Sequence, residues 1–399
     1  MTKTFYFAGW LVDGTGSPAK RDVLISVENG SISSLERANP AELKASDLAM
    51  QAYPSCTILP GLVDCHVHLK MSGKTDPQLR SRQLLLSESD QNGSLIRERI
   101  DRGLALGIMA LRDGGDIGEH TLTHIVRNGS SRVLVKCAGK AWHAPGRYGK
   151  ILGRAPENGS TLADGVKANC GGIDHIKIFN SGIISFDEFG RQGPPQFGRD
   201  ELEAAFRAAR VLSRKIMVHA NGELPVKLAV EAGCDSIEHG FFMGEENMKR
   251  MADRRIFWVP TAFTMKAFSA HNPDSPQSQA ASRVLETQLE QMGRARELGV
   301  PLAAGTDAGA FGVRHGIALA EELKLMMDAG FTVEETICCA ASEGARLLGV
   351  DHELGRLMPG MPANFIVVNG PPSALPVSLK EVKLVCVRGE KIDSSENPR

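Results

Sequence analysis

From Leu59 onward, short apolar runs alternate with longer amphipathic stretches, and that alternation restricts the fold more than any other feature of the chain. Runs rich in β-prone residues at 61–69, 107–113, 131–139, 175–179, 215–220, 236–242, 256–263 and 301–307 predict eight strands. Between them, Ser94–Leu106, Asp200–Ser213, Leu224–Ala232 and Ala280–Leu298 carry helical periodicity, with Gly233 and Gly299 placed where helices stop. Strands joined by helical crossovers form parallel sheets, so the expected fold is α/β, a TIM-type (β/α)8 barrel. A doubly wound open sheet is the competitor. It wants a glycine-rich phosphate turn after an early strand, and Gly114-Gly115 is not that pattern.

The two ends of the chain read differently. Phe5–Val12, Asp22–Val27 and Ser31–Leu35 predict short strands split by turns at Asp13–Gly16 and Glu28–Gly30. Residues 36–56 are polar and alanine-rich without a clear period. Beyond a helix at Thr332–Leu348, Phe365–Val368 and Leu384–Arg388 again predict strands, and 394–398 is a short tail. The expectation is one small β-sandwich domain built from both termini, 1–57 and 356–399, with the barrel at 58–355 inserted.

Lys and Arg number 46 against 47 Asp and Glu, which gives no electrostatic reason to expect nucleic acid or a membrane surface as partner. Eight scattered cysteines, two of them adjacent at Cys338 and Cys339, suit reduced thiols in a cytoplasmic protein better than a disulfide framework. Met1–Trp10 lacks a basic stretch followed by a long apolar core, so no signal peptide is expected.

Chemistry-bearing residues gather at the predicted strand ends, which is where such a barrel keeps its catalytic groups. The first strand reads Gly-Leu-Val-Asp-Cys-His-Val-His-Leu over Gly61–Leu69. Alternate residues of a strand share a face, so His66 and His68 present two imidazoles side by side, a pair that can grip a metal ion or pack in a core. Lys177 lies between isoleucines in strand four, His219 ends strand five, His239 ends strand six and Asp307 ends strand eight. Each alone has a bland reading: a satisfied core histidine, a paired lysine, a helix cap. Five strand ends of eight carrying such a residue favour a metal site.

His66, His68, Lys177, His219, His239 and Asp307, in that order, resemble the metal set of the amidohydrolase superfamily. The resemblance covers nearly the whole chain, including the split β domain and the Gly355–Val368 segment. Ile176–Ile178, His219–Gly222 and Asp235–Gly240 are similar to the prolidase and imidazolonepropionase-like branch. It implies two divalent metal ions, zinc by preference, bridged by a carboxylated Lys177, with His66, His68 and Asp307 on one ion and His219 and His239 on the other. The chemistry is self-consistent. A lysine buried among apolar neighbours loses basicity, and its free amine can add CO₂ to give a two-oxygen anion. Ions about 3.5–4 Å apart can share a water and deprotonate it near neutral pH. Asp307 stands where a carboxylate can act as general base and then general acid.

The expected substrate is a small molecule. Pro145–Gly149 resembles a Pro-Gly-Gly-His-Gly element of this branch whose histidine contacts the substrate carbonyl; Tyr148 stands at that position, and His143 is the alternative contact. In the loop 181–198, Phe186, Phe189 and Phe197 either line an apolar pocket, with Arg191 for a carboxylate, or pack the loop on the rim. The leading functional reading is hydrolysis of an amide-type C–N bond in a dipeptide or N-acyl amino acid. A mononuclear aminohydrolase that deaminates a heterocycle is the alternative, with Glu223 its candidate acid; a non-catalytic binding or assembly barrel is the third. A homo-oligomer is compatible with every one of these.

Overall fold

The computed structural model describes residues 3–41, 50–85, 90–129 and 132–392; the readings made above for 42–49, 131 and 394–398 lie outside them. Parallel strands occupy Leu62–Val67, Ile108–Asp113 and Leu134–Cys137 in one sheet. A second sheet runs through Ala141–Trp142, His175–Phe179, Lys215–Ala220, Ser236–His239 and Phe257–Val259, with Gly153–Arg154 at its edge. The eighth predicted strand, 301–307, is not a regular strand and pairs only through isolated bridges. It bridges the two sheets, with Leu302 beside Trp258 and Ala308 beside Val67, and Cys65 N donates to Ala304 O at 2.9 Å. On the far side, Asp174 N donates to Cys137 O at 2.9 Å.

Helices between the strands cover this parallel layer. Pro276–Glu297 starts on Ser275, whose hydroxyl accepts from Ser278 N at 3.2 Å, with Pro276 at the first helical position where its missing N–H costs nothing. Glu223–Ala232 ends on Gly233 in the left-handed region at φ 89°, as its position predicts. The predicted helix at 332–348 is interrupted by a π-helical turn, Cys339–Glu343, between α-helical Val333–Cys338 and Gly344–Leu348.

Strands from both ends of the chain share one continuous seven-stranded sheet rather than two stacked ones. In spatial order they are Glu390–Ile392, Val382–Val387, Phe365–Asn369, Met50–Pro60, Lys3–Leu11, Lys20–Glu28 and Ser31–Arg37. The sheet curls until its last strand meets the segment before Phe365: Ile32 N donates to Met361 O at 2.8 Å. Inside the curl Tyr6 meets Phe365 edge-on at 4.9 Å. Phe365–Asn369 shows how period-two alternation joins the parts: Phe365 and Val367 face the curled sheet's own core, while Ile366 and Val368 enter the main core.

Met50–Pro60 is the central strand that the polar reading of 36–56 passed over. The register against Lys3–Leu11 slips around Pro54, a residue that cannot donate to a ladder. Gly9 takes up the slip, since a Cβ there would lie 2.2 Å from Pro54 O.

Candidate active site

Lys177 sits on His175–Phe179, His219 and His239 at the ends of neighbouring strands, and His66 and His68 at the exit of Leu62–Val67, where 301–308 delivers Asp307. All six line one cleft of about 340 Å³. The ligand atoms of His66, His68 and Asp307 fall within 4.8 Å of one another, with Asp307 Oδ1 3.6 Å from His66 Nε2 and 3.3 Å from His68 Nε2. The rings of His219 and His239 lie 4.6 Å apart, and His239 lies 5.0 Å from His66. Lys177 Nζ is 3.5 Å from His66 Nε2.

Each imidazole has one nitrogen against a protein group, within hydrogen-bond geometry for His68, His219 and His239 and as a close but misaligned contact for His66. His66 Nδ1 lies 2.8 Å from Glu238 Oε2, His68 Nδ1 3.2 Å from Gly115 O, His219 Nε2 3.1 Å from Gly182 O and His239 Nδ1 2.7 Å from Thr261 Oγ1. A proton on each of those nitrogens leaves the other as a lone pair, the form that coordinates a metal. Burial enforces the neutral ring: it is the largest force holding His68 down to about 4 and His219 to about 3, and it holds His66 and His239 well below the usual range.

Lys177 is 1% exposed, with the Phe179 ring 5.6 Å from its Nζ, and no carboxylate pairs with it among the described residues. Burial therefore lowers its basicity and pushes the carboxyl of Asp307 up. The Asp307 side chain is 17% exposed against 1% for His66, so it alone of that pair reaches open cleft. A buried, unpaired amine among four neutral imidazoles and a carboxylate is a donor set that fits divalent ions.

Groups that the sequence reading did not single out hold this set in place. Glu238 also accepts from Arg112 Nη2 at 2.8 Å, and Arg112 Nε donates to Cys65 O at 2.6 Å. Asp64 takes Thr306 N and Oγ1 at 3.0 and 2.7 Å, fastening the 301–308 segment to the first strand. His239 and Asp307 both adopt left-handed backbone, at φ 66° and 57°, which costs about 1–3 kcal/mol each. The hydrogen bonds from Trp258 Nε1 and Gln288 Nε2 to His239 O, 2.9 and 2.6 Å, oppose the first. Gly114 is required by close approach, since a Cβ there would stand 2.6 Å from His68 Cε1. A buried acid inside an apolar run, as at Asp64 and Glu238, is the signal that would have found two of these.

Tyr148 lines the cleft, its ring 5.4 Å from that of His219. Burial raises its hydroxyl well above the usual range, so it stays a donor. His143 is buried behind the wall, its Nδ1 2.8 Å from Ala144 O, and is not among the lining residues. Phe186 lines the cleft; Phe197 belongs to the main core, and Phe189 packs edge-on against Phe242. Arg191 is exposed and lies 3.4 Å from Glu188, away from the lining. Glu223 is exposed at a helix start and likewise does not line the cleft. A second cleft of about 340 Å³, between Met109, Leu354 and Arg388, holds no histidine or cysteine.

Residues 57–392 match the amidohydrolase family. Ochratoxinase from Aspergillus niger is 27% identical over 407 residues, covering 92% of this chain and 82% of that protein. Imidazolonepropionase from Hahella chejuensis is 25% identical over 354 residues, covering 78% of each. Among solved structures, a Xaa-Pro dipeptidase with bound methionine in its active site superposes with a TM-score of 0.82 at 26% identity, covering 98% of this chain and 100% of that one. The chain belongs to the amidohydrolase family, in the branch that includes prolidase- and imidazolonepropionase-like proteins, and is a hydrolase acting on carbon–nitrogen bonds. No helix among the described residues is long and apolar enough to cross a membrane.

Proposed function

We propose that this member of the amidohydrolase family is a metal-dependent hydrolase cleaving the amide-type C–N bond of a dipeptide or N-acyl amino acid, and that its parallel strands close into a (β/α)8 barrel. The hydrogen bonds that tie 301–308 to strands on both sides support the closed barrel. One observation carries the functional reading: six residues from five separate segments, His66 with His68, Lys177, His219, His239 and Asp307, turn their chemistry into one cleft.

His66, His68 and Asp307 would hold one ion and His219 and His239 a second, with a carbamate on Lys177 between them. Two divalent ions, zinc in this reading, would supply Lewis acidity to the carbonyl and to the attacking water when bound. Asp307, at the cleft surface with its carboxyl pushed up by burial, takes the proton of that water and returns it to the leaving nitrogen. Tyr148, kept protonated, donates to the substrate carbonyl oxygen. The buried amine of Lys177 is the feature that favours the carbamate: as a cation it would be a desolvated charge beside the ligands, with Glu238 and Asp307 acting on it from a distance and no direct ion pair among the described residues.

The reading is tested by metal analysis of the purified protein with turnover assays on N-acyl amino acids, dipeptides and cyclic amides. Two ions per chain and hydrolysis of at least one class are expected. A metal-loaded protein that hydrolyses none of them would sink it.

A further inference from the structure

Arg80 comes from the helix Pro77–Leu85, outside every predicted strand, yet its side chain lines the same cleft as the ligand set. Its Nη1 donates to Lys74 O at 3.1 Å and Gly309 O at 3.2 Å, and its guanidinium lies 6.0 Å from the centre of the Phe311 ring. Two carbonyls and an aromatic face therefore fix the plane of the group. Gly309 follows Asp307 by two residues, and Arg80 and Asp307 line the same cleft, each acting on the other's charge. Behind Phe311, Phe268 lies 5.5 Å away and stacks on Phe186 at 4.5 Å. The cleft thus presents an aromatic wall ending in one oriented arginine.

We infer that Arg80 binds the free carboxylate of an N-acyl amino acid whose aromatic or large apolar group lies along Phe311, Phe268 and Phe186. This rests on the hydrolase reading of the cleft and narrows it. A guanidinium matches a carboxylate with two parallel N–H···O bonds, and a planar anchor held by the protein loses little freedom on binding. In an apolar cleft the desolvated pair discriminates strongly, because a neutral group in its place cannot satisfy the guanidinium donors that Lys74 and Gly309 leave free. Arg191, the other arginine considered for this role, is 66% exposed and does not face the cleft.

The test compares N-acetyl-L-phenylalanine with its C-terminal carboxamide in the metal-loaded enzyme, reading acetate release. The wild type is expected to favour the acid by at least tenfold in kcat/KM, and Arg80→Gln to bring the acid-to-amide ratio close to one. Arg80→Lys, which keeps charge but not the fork, should give an intermediate ratio, and it carries the test if the Gln variant does not fold. Calorimetric binding of 3-phenylpropanoate, which has no amide bond, should weaken at least tenfold in Arg80→Gln. Weakened binding without turnover of any amide would retire the hydrolase reading and keep the anchor. Turnover with an acid-to-amide ratio that Arg80→Gln leaves unchanged would overturn the anchor and keep the hydrolase.

Discussion

His66 Nδ1 lies 2.8 Å from Glu238 Oε2, and both side chains are sealed from solvent. The carboxylate stands against the nitrogen of His66 that faces away from the cleft, a close contact without hydrogen-bond alignment, and its other oxygen accepts from Arg112 Nη2 at 2.8 Å. Replacing Glu238 by Ala removes both contacts and leaves Arg112 a buried, uncompensated cation, at a cost of about 3–5 kcal/mol. It also frees His66 to rotate, which lowers metal affinity by about 10–100-fold. Urea unfolding and metal titration of Glu238→Ala read the two effects separately. Normal values for both would mean that the pair holds nothing in place.

Asp307 is the group asked to move the proton, and its amide analogue cannot. Asp307→Asn keeps the shape of the side chain and leaves the bond from its backbone N to His66 O, 2.7 Å, untouched. The expected result is an unchanged melting temperature with kcat reduced by about 10²–10⁴-fold. Turnover within a few-fold of wild type would assign proton transfer to another group.

The buried imidazoles make part of the stability depend on pH, with a definite sign. His219 is depressed to about 3 and His68 to about 4, whereas in the unfolded chain they titrate near 6.5. Below that value the unfolded chain takes up protons that the fold refuses, so their contribution is present above about pH 6.5 and is lost on acidification toward pH 3–4. Asp64 and Asp113, pushed up to about 7 by burial, work the other way and lose their contribution as pH rises through that value. The test is therefore a difference. Metal-stripped His219→Gln should lose less stability than wild type between pH 7 and pH 5, by at most about 1.4 kcal/mol per unit. Parallel pH curves for the two proteins would refute the depressed histidine.

What the sequence made legible follows from which forces act locally. Leu62–Val67 could be read because an apolar run with histidines two apart has one strand-like interpretation, whereas the run 301–307, read as a strand ending on Asp307, forms only isolated bridges. Met50–Pro60 could not: its outer half is exposed, Pro54 argues against a central strand, and the answer to Pro54 is Gly9, far off in sequence. The seven strands also join as one curled sheet because Ile32 meets Met361, a contact between ends that no local pattern records. At the site, residue type announced His66, His68 and Asp307. Arg112 and Arg80 are set by tertiary packing, and each looks from its own neighbours like any other charged residue.

Lys177 offers the sharpest separation between a ligand bridge and an ordinary buried amine. It is 1% exposed, its Nζ lies 3.5 Å from His66 Nε2, and a cation there would repel the ions that the imidazoles are set to bind. As a carbamate it becomes an anion with two donor oxygens. Lys177→Ala should then lose bound metal and activity together while leaving a space that a small carboxylic acid can enter. Adding acetate or propionate to the variant, with zinc present, is expected to restore part of both. An ordinary core lysine predicts the opposite: removing a poorly solvated amine leaves metal content intact, and no carboxylic acid changes the rate. Metal content and kcat measured with and without the acid decide between them, and full activity in the variant alone would rule out the bridge.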